Sequence, residues 1–494
     1  MFAVFIKISF ALLISIIYAY GLGFFDAFNR PKEYLPYLAV TLLSTLFLCY
    51  LQNMRIIYRI IYAAIFLLLS LYIATGTGIQ QGHMSLGIIA SVFQSDQNEA
   101  LEFLSVVHYK FIFYAVLSYV LLLVFLFYKQ EDHVFQCNSK LHKIILAMAL
   151  FLNATTVFAL ETTRAIYLYK KEEKFLNEYN QKDFDWKIKQ VNVDYQTQVF
   201  IIGESVQRNY LSLYGYQYKT TPFLDQMPLT YIENYIAAAP NTAASLVRTL
   251  AVSDGQQMIQ PAMNVVRLAN QAGYNTIWIS NQGFMGKNDT AVSKTAQHAQ
   301  HKLFLKTGNY RSNNIDDDEM LPLLQQQLKK YPKQNNIIFI HMMGSHPDSC
   351  ERLFNSPLLY TEHHKALSCY LSSIYKLDHF IEGVYEILKQ QNRSFKIHYF
   401  SDHGMSVDED SIVVDNQYKH NYQVPYIILS SDAKQKTKIA KTVSAQDFID
   451  IFAAQIGVTT PYLKPNYTLE HIPDNPNVTV FNWDELIPYN QLLD

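Results

Sequence analysis

The most constraining feature of the sequence is a series of long apolar runs in its first third. Five runs cover residues 8–25, 35–51, 56–74, 111–128 and 144–160, and they contain almost no charged side chains. Each is close to the roughly 20 residues that an α-helix needs to cross a bilayer. Soluble cores rarely supply so many long runs, so the pattern predicts five membrane-spanning helices rather than buried core helices.

The charged residues between the runs favour one orientation of the predicted helices. Arg55 and Arg59 lie at the junction of the second and third runs, and Lys129, Lys140 and Lys143 lie between the fourth and fifth. Cytoplasmic loops carry an excess of Lys and Arg, so both regions are predicted to face the cytoplasm. An odd number of spans then puts the rest of the chain outside the cytoplasm.

These features divide the chain into three predicted regions. They are a transmembrane domain over 1–162, a bridging helix and linker over 163–194, and an exported domain over 195–494. Within the first region, the loop 76–110 contains "IIASVFQSDQNEALEFLSVV", in which apolar residues recur at helical spacing. This periodicity predicts an amphipathic helix or a helix pair at the membrane surface.

Net charge and cysteine content narrow the alternatives further. A net charge of -2 provides no basic surface for nucleic acid. Cys49 lies in a predicted span and Cys137 in a predicted cytoplasmic loop, whereas Cys350 and Cys369 lie in the exported region. An oxidising compartment allows those two cysteines to pair, but the sequence leaves open whether they form a disulfide or remain free thiols.

The exported region has a different pattern, in which short apolar runs alternate with amphipathic segments. The predicted strands cover 199–202, 276–279, 337–340, 397–400 and 426–429, and the clearest helical segments cover 320–330 and 372–390. Strands that alternate with helices are typical of an α/β sheet with helices on both faces.

Polar side chains follow several of these strands directly. Glu204 and Ser205 follow the first strand after a glycine, "HMMGSH" follows the third, and Asp402 and His403 follow the fourth. In open α/β sheets, ligands bind at the carboxyl ends of strands. Glutamate, aspartate and histidine together suit Zn²⁺ or another divalent ion, so a metal site is predicted at this edge.

Three segments also carry a family resemblance. "FIIGESVQRNYLSLYGYQYKTTPFL", "HMMGSH" and "FSDHG" together resemble the alkaline-phosphatase/sulfatase superfamily, and within it the membrane-bound phosphoethanolamine transferases that modify lipopolysaccharide. The resemblance implies an α/β chain with a five-helix transmembrane domain and an exported sulfatase-like α/β/α domain. It also implies a multi-pass protein of the bacterial inner membrane with its catalytic domain in the periplasm.

The resemblance assigns roles to the residues at the sheet edge. Glu204, Asp402 and His403 match zinc-binding positions of the family. Thr242 matches the nucleophile, which also takes a metal position, because it begins a Thr-Ala-Ala-Ser segment about forty residues past the glutamate. Ser205 is the local rival nucleophile.

Further residues are assigned by the same resemblance. In "HMMGSH", His341 matches a substrate-side position and His346 a substrate or second-metal position, and His420 matches a third histidine approximately. Either His346 or His420 is expected to protonate the leaving oxygen. Residues expected at the lipid donor or its phosphate are Ser91, Ser95, Glu99, Gln282 and Lys287.

The implied reaction moves phosphoethanolamine from phosphatidylethanolamine to Thr242, and then to lipid A or the lipopolysaccharide core. The implied cofactor is one Zn²⁺, or two, with Mn²⁺ as the less favoured metal. Three other functions stay open on the sequence. They are phosphoglycerol transfer, a sulfatase-like phosphodiesterase acting on another envelope glycan, and a transporter or inactive scaffold.

Overall fold

The computed structural model describes residues 2–25, 31–95, 97–128, 140–180, 182–253, 259–283, 291–306, 314–407, 412–465 and 467–494. Lys129, Cys137 and Lys287 lie outside these residues. Contacts divide the chain into two compact units. The first consists of Met1–Ile89 with Leu104–Lys170, and the second of Ala90–Phe103 with Lys171–Asp494.

Helices make up the regular structure of the described residues before 181. They are α1 (Phe2–Gly21), α2 (Pro31–Gln52), α3 (Ile56–Ala74), α4 (Thr77–Gln81), α5 (Leu86–Gln94), α6 (Gln97–Val106), α7 (Tyr109–Phe127), α8 (Lys140–Phe151) and α9 (Ala154–Asn180). The predicted surface loop thus contains the three short helices α4, α5 and α6. The predicted bridging helix is the C-terminal part of α9.

Four of these helices are long and apolar enough to cross a membrane, through the segments Val4–Gly21, Leu35–Gln52, Ile56–Ala74 and Tyr109–Phe127. A fifth candidate is the pair Lys140–Phe151 and Ala154–Leu176, which is bent by 49°. The sequence prediction of five spans therefore holds if the bent pair counts as one span. The predicted run 144–160 contains the bend in its middle.

Asn153 accounts for this bend. Its Nδ2 donates to the carbonyl oxygens of Ala149 at 3.1 Å and Leu150 at 2.7 Å, near the end of α8. Its Oδ1 accepts from the backbone N–H of Thr156 at 3.2 Å, in the first turn of α9. One side chain therefore satisfies backbone groups that a helix end leaves unpaired on both sides of the break.

The second unit contains the strands, with helices between them. The strands are β1 (Gln190–Val191), β2 (Thr197–Gly203), β3 (Thr230–Ile236), β4 (Ala251–Ser253), β5 (Ile259–Asn264), β6 (Asn275–Ser280), β7 (His301–Phe304), β8 (Asn336–His341), β9 (Phe395–Ser401), β10 (Ser406–Val407), β11 (Ile412–Val413), β12 (Gln423–Ser430), β13 (Thr437–Ser444), β14 (Val458–Thr459), β15 (Thr479–Phe481) and β16 (Leu486–Pro488). The helices that follow β2 are α10 (Pro222–Gln226), α11 (Thr242–Thr249), α12 (Val265–Gln271), α13 (Ala291–Ala296), α14 (Met320–Lys330), α15 (Lys365–Lys389) and α16 (Phe448–Gln455).

Eight strands form one sheet in the order β13-β3-β12-β9-β2-β8-β6-β7. The five strands from β9 to β7 run parallel, whereas β12 is antiparallel to both of its neighbours. All five predicted strands are present, each a little longer than its apolar run. Because β12 is reversed, the residues before it lie at the same edge as the residues after β9 and β2.

Three strands of this sheet, β3, β7 and β13, were not predicted. β3 and β7 expose part of most side chains, and β13 is an edge strand with exposed Thr437 and Lys438. A strand that is only half buried lacks a continuous apolar run. Edge strands also favour lysine, which discourages pairing with another chain.

Alternate residues of the central strands face two separate apolar cores. Phe200 and Ile202 of β2 join a core with α11, α12 and α16, and Val199 and Ile201 join a second core with α14 and α15. The prediction of helices on both faces is therefore confirmed. A sheet that is buried on both faces reads as a continuous apolar run, which is why β2 was easy to recognise.

The disulfide that the sequence left open is present. Cys350 and Cys369 are bonded, with their Cα atoms 4.8 Å apart. The bond ties the turn after β8 to the first turns of α15. In the same unit, the predicted linker contributes the fully buried Trp186, and β1 pairs with β14.

Candidate active site

Three predicted metal ligands come together at the carboxyl edge of the sheet. Glu204 follows β2, while Asp402 and His403 follow the adjacent parallel strand β9. One ligand atom from each residue lies within 4.8 Å of the others, and all three side chains are buried. The pattern of polar residues after strands thus corresponds to a compact cluster in space.

The turn after β2 fixes Glu204 against the end of β9. Gly203 has no room for a side chain, because an added Cβ would lie 2.5 Å from the hydroxyl oxygen of Tyr399. Ser205 adopts a φ of 62°, which is uncommon for a residue other than glycine. Its backbone N–H donates to Asp402 Oδ1 at 3.0 Å. The turn therefore links the residue after Glu204 to the Asp402 carboxyl group by a hydrogen bond.

Thr242 stands at the first position of α11 and points at the same cluster. Its Oγ1 lies 3.1 Å from Glu204 Oε1, 3.0 Å from Glu204 Oε2 and 3.5 Å from His403 Nε2. Asn241 caps the helix, since its side chain accepts from the N–H of Ala244 at 3.3 Å. The N-terminus of a helix favours a nearby anion, which suits a residue that would carry a phosphoryl group.

The third residue after Thr242 explains the spacing of the Thr-Ala-Ala-Ser segment. Ser245 is fully buried and donates through its hydroxyl to the carbonyl oxygen of Asp402 at 2.6 Å. Residues three apart lie on one face of a helix. The first turn of α11 therefore presents Thr242 to the cluster and is anchored at the segment that carries Asp402 and His403.

The rival nucleophile Ser205 has a different environment from Thr242. Ser205 is fully buried, and its hydroxyl donates to Glu204 Oε1 at 2.8 Å. Thr242 remains partly exposed. A nucleophile must reach a substrate from outside, so the accessibility of Thr242 favours it over Ser205.

Burial and opposite charges together set the protonation of the cluster. Burial disfavours the charge of Glu204, but the hydrogen bond and charge of His403 hold its pKa far below the usual range. Burial and the charge of Glu204 raise the pKa of Asp402 to about 7. Burial acts against the charged form of His403, yet Asp402 and Glu204 outweigh it and raise its pKa to about 9. Without a metal, His403 is thus the cation between two carboxyl groups.

The donor atoms of this cluster fit a divalent metal. Asp402 Oδ2 is buried and has no hydrogen-bond partner among the described residues. His403 Nδ1 donates to the Gly404 carbonyl oxygen at 2.8 Å, so its Nε2 faces Glu204 Oε1 at 3.2 Å. Two carboxylates, an imidazole nitrogen and the Thr242 hydroxyl offer four donors, the number usual for zinc in proteins, and a metal there would replace the proton on His403.

The other candidate histidines lie at different depths. His341 ends β8 and is buried, which lowers its pKa to about 4 and keeps it neutral. His346 is half buried, its Nδ1 donates to the Pro347 carbonyl oxygen at 2.6 Å, and its charge favours ionised Glu204. The backbone of His420 lies against Gly404, where an added Cβ would be 2.3 Å from the His420 carbonyl oxygen. All three therefore belong to the same edge of the sheet.

Two of the residues expected at the lipid donor lie on α5 or directly after it. Asn241 Nδ2 donates to Ser91 Oγ at 3.4 Å, which brings this exposed serine next to the residue before Thr242. Ser95 donates to the Ser91 carbonyl oxygen at 2.7 Å. The side chain of Glu99 is not among those described. Part of the surface loop thus reaches the start of α11.

Gln282, which was expected at the donor phosphate, lies beside Glu204. Its Nε2 donates to Glu204 Oε2 at 3.0 Å and to the Met342 carbonyl oxygen at 2.9 Å. Lys287, which was expected beside it, lies outside the described residues.

Sequence reasoning missed the residue that holds the "HMMGSH" loop. Asp317 is buried and accepts from the backbone N–H groups of Met343 at 2.9 Å and Gly344 at 2.8 Å. Gly344 has a φ of 51°, and an added Cβ would lie 2.9 Å from the Glu204 carbonyl oxygen. The glycine was a visible signal, but Asp317 lies in an acidic run that resembles a solvated surface.

Comparison with known proteins places this geometry in a family. A profile of the sulfatase family matches residues 196–458, which is more than half of the chain. Escherichia coli (strain K12) phosphoethanolamine transferase OpgE is 35% identical over 305 residues, and the match spans 60% of this chain and 57% of OpgE. A putative phosphoethanolamine transferase of Haemophilus influenzae is 31% identical over 414 residues, which are 81% of this chain and 84% of that protein.

Solved structures share the fold. The integral membrane protein lipooligosaccharide phosphoethanolamine transferase A (EptA) from Neisseria meningitidis matches with a TM-score of 0.60 at 14% identity, over 92% of this chain and 97% of that chain. The C-terminal periplasmic domain of EcEptC from Escherichia coli, in complex with Zn, matches with a TM-score of 0.53 at 21% identity, over 62% of this chain and 97% of that domain. The chain therefore belongs to the sulfatase family and, within it, to the phosphoethanolamine transferases.

Proposed function

We propose that this enzyme transfers phosphoethanolamine from phosphatidylethanolamine to Thr242, and from Thr242 to lipid A or the lipopolysaccharide core. The observation that carries the proposal is the position of Thr242 Oγ1, within 3.1 Å of both Glu204 oxygens and 3.5 Å from His403 Nε2. A hydroxyl so close to a buried acidic cluster fits a nucleophile in a chain of this family.

Glu204, Asp402 and His403 are the residues that would hold the metal, with Thr242 as the fourth donor. We propose Zn²⁺, because two carboxylates, one imidazole and one hydroxyl make four donors, the number usual for zinc in proteins. When bound, such an ion lowers the pKa of an alcohol and stabilises negative charge on oxygen. Mn²⁺ is the less favoured alternative because it prefers more oxygen ligands.

In the first step, the Thr242 oxygen attacks the phosphorus of the donor. A bond forms between Thr242 Oγ1 and phosphorus, and the bond between phosphorus and the diacylglycerol oxygen breaks. The threonine proton ends on that leaving oxygen, delivered by His346 or His420. Asn241 and the start of α11 support this step, because the helix N-terminus stabilises the phosphoryl group that becomes attached to Thr242.

In the second step, an acceptor oxygen attacks the phosphoryl group on Thr242. The acceptor oxygen becomes bonded to phosphorus, and the bond to Thr242 Oγ1 breaks. Thr242 recovers a proton from an acceptor hydroxyl or, when the attacking acceptor is a phosphate monoanion, the proton of that phosphate relayed through His346. The covalent intermediate divides one difficult displacement into two easier ones.

The lipid donor and the membrane location are part of the same proposal. Ser91, Ser95 and Glu99 would contact the donor headgroup, and the position of Ser91 beside Asn241 supports this for Ser91. A multi-pass arrangement in the inner membrane, with the catalytic domain in the periplasm, would give the enzyme access to phosphatidylethanolamine. The disulfide between Cys350 and Cys369 supports an oxidising compartment for that domain.

The test uses the full chain in membranes with a fluorescent phosphatidylethanolamine. Release of labelled diacylglycerol, together with a mass increase on Thr242, is expected for the wild type and absent for Thr242→Ala. Mass spectrometry of the envelope lipids would then identify the acceptor. Release of diacylglycerol from phosphatidylglycerol instead would make phosphatidylglycerol the donor. Activity that survives Thr242→Ala would make Ser205 the nucleophile.

A further inference from the structure

The carboxylate of Glu204 is held at both oxygens by residues outside the proposed metal set. Ser205 Oγ donates to Glu204 Oε1 at 2.8 Å, and Gln282 Nε2 donates to Glu204 Oε2 at 3.0 Å. The same carboxylate faces Thr242 and His403. Each oxygen therefore has one outer donor and still faces a residue of the proposed metal set.

The amide of Gln282 is oriented by its surroundings. Its NH₂ group faces the Glu204 carboxylate and the Met342 carbonyl oxygen at 2.9 Å, and both of these groups are pure acceptors. The opposite amide orientation would place an acceptor against two acceptors, so the orientation is unambiguous. An NH₂ group has two hydrogens, and both are used on the protein. Gln282 Nε2 has no hydrogen left for a substrate phosphate.

The backbone around Gln282 is anchored as well. Its N–H donates to Ser280 Oγ at 3.1 Å, at the end of β6. Met342, the second acceptor of the amide, follows β8, and its own N–H donates to the Ile202 carbonyl oxygen of β2 at 3.0 Å. Gln282 thus links the ends of β6, β8 and β2 next to Glu204.

We infer that Gln282 is a positioning residue that fixes the Glu204 carboxylate for metal binding, together with Ser205, rather than a contact to the substrate phosphate. The inference rests on the proposed function, because it assumes that Glu204 is a metal ligand. Outer partners of this kind keep a ligand in one rotamer and typically change metal affinity about 10- to 100-fold when removed. Loss of Gln282 should therefore act on metal binding first.

The test measures zinc affinity and steady-state kinetics on the full chain in detergent. Gln282→Leu removes both donated hydrogen bonds at similar volume, and Ser205→Ala removes the donor on the other oxygen. Zinc affinity, measured by competition with a chromophoric chelator, is expected to fall about 10- to 100-fold for Gln282→Leu. At saturating zinc, kcat should fall while the KM for phosphatidylethanolamine stays within about twofold.

Two controls separate positioning from substrate binding. Ser91→Ala, at a proposed donor contact, should raise the KM for phosphatidylethanolamine and leave zinc affinity unchanged. Gln300→Leu makes the same chemical change at an exposed residue and should change neither quantity. If Gln282→Leu does not fold, as judged by thermal unfolding, Gln282→Met removes the same donors from an unbranched side chain and takes its place.

The outcomes distinguish this inference from the proposed function. Unchanged zinc affinity with a raised KM in the Gln282 variants would overturn the inference and restore Gln282 as a phosphate contact. A wild type that binds zinc but does not use phosphatidylethanolamine would overturn the proposed donor, while the zinc measurement would still decide the role of Gln282. A wild type that binds no zinc would overturn the inference and the zinc assignment, while the kinetics with phosphatidylethanolamine would still decide the proposed donor.

Discussion

The two units of this enzyme satisfy their buried polar groups in different ways. In the N-terminal unit, several buried serine hydroxyls bond within their own helix: Ser15 donates to the Ala11 carbonyl oxygen at 2.9 Å, and Ser70 to that of Phe66 at 2.8 Å. In the second unit, Glu204 and Asp402 lie 198 positions apart in sequence and are linked through the N–H of Ser205.

This difference follows from the environment expected for each unit, which is lipid around the N-terminal helices and water around the second unit. Helices that face lipid must satisfy their backbone and hydroxyl groups internally, because hydrocarbon offers no partner. Accordingly the N-terminal helices expose apolar side chains such as Leu68, which is 68% exposed. A sheet covered by helices instead brings remote polar residues to one edge, where they depend on each other. Matched substitutions in the two units should therefore have unequal effects.

The largest expected effect is the loss of a proposed metal ligand in the second unit. Glu204→Gln should remove bound zinc and lower the rate of transfer by about 10³-fold or more, because the nucleophile and the metal act as one unit. Metal content by mass spectrometry and the initial rate of diacylglycerol release measure both. The matched control is Ser70→Ala in the N-terminal unit, which should retain zinc and rate. Zinc retained by Glu204→Gln would contradict the assigned ligand set.

The next prediction places an arginine at an exposed leucine position in each unit. Leu68→Arg should impair membrane insertion by about 3 kcal/mol if Leu68 lies at mid-membrane, because arginine is costly there. Leu358→Arg, at a leucine that is 43% exposed in the second unit, should change stability by less than about 0.5 kcal/mol. The yield of inserted, folded protein measures both. Equal yields would mean that α3 does not face lipid.

The disulfide should stabilise only the second unit. Replacing Cys350 and Cys369 by serine opens a loop of sequence separation 19 and is expected to cost about 3 kcal/mol. Denaturant unfolding followed by the fluorescence of the tryptophans, all three of which are buried in the second unit, measures the change. Reduction of the wild type should shift the unfolding midpoint by the same amount. A midpoint that neither treatment changes would show that the disulfide does not contribute to stability.

The smallest expected effect compares one hydroxyl in each unit. Ser245→Ala loses the bond to the Asp402 carbonyl oxygen and should cost about 1 kcal/mol and about tenfold in kcat. Thr155→Val loses contacts to Tyr18 at 3.2 Å and Tyr62 at 3.0 Å and should cost about 1 kcal/mol without a change in kcat. Thermal unfolding and kinetics measure the pair, and an equal loss of kcat in both would remove the proposed distinction.

The predictability of each element followed its degree of burial. β2, β6, β8, β9 and β12 were recognised because both of their faces are buried, whereas β3, β7 and β13 were missed because a half-exposed strand has no continuous apolar run. The bend at Asn153 was missed for another reason. Apolar run length reports that a segment can span a membrane, but not that one asparagine ends one helix and begins the next.

The candidate site shows the same division at the level of single residues. Glu204, Asp402, His403 and Thr242 were identified in the sequence because they follow strands or match a family segment. The contacts that hold them are less visible in the sequence. Asp317 was not noticed, and Gln282 was assigned to the phosphate without its bond to Glu204, because these contacts join residues far apart in the chain.

What the sequence determined by itself was therefore everything that depends on local pattern: the apolar spans, the central strands, and the polar residues that directly follow them. The tertiary structure alone decided that β12 runs in reverse, so that the residues before it lie at the same edge as those after β9, and that Gln282 faces Glu204. The physical reason is that hydrophobic periodicity is encoded within a few residues of chain. Hydrogen bonds between strand ends join residues far apart in the chain, and they form only when the strands are arranged in the sheet.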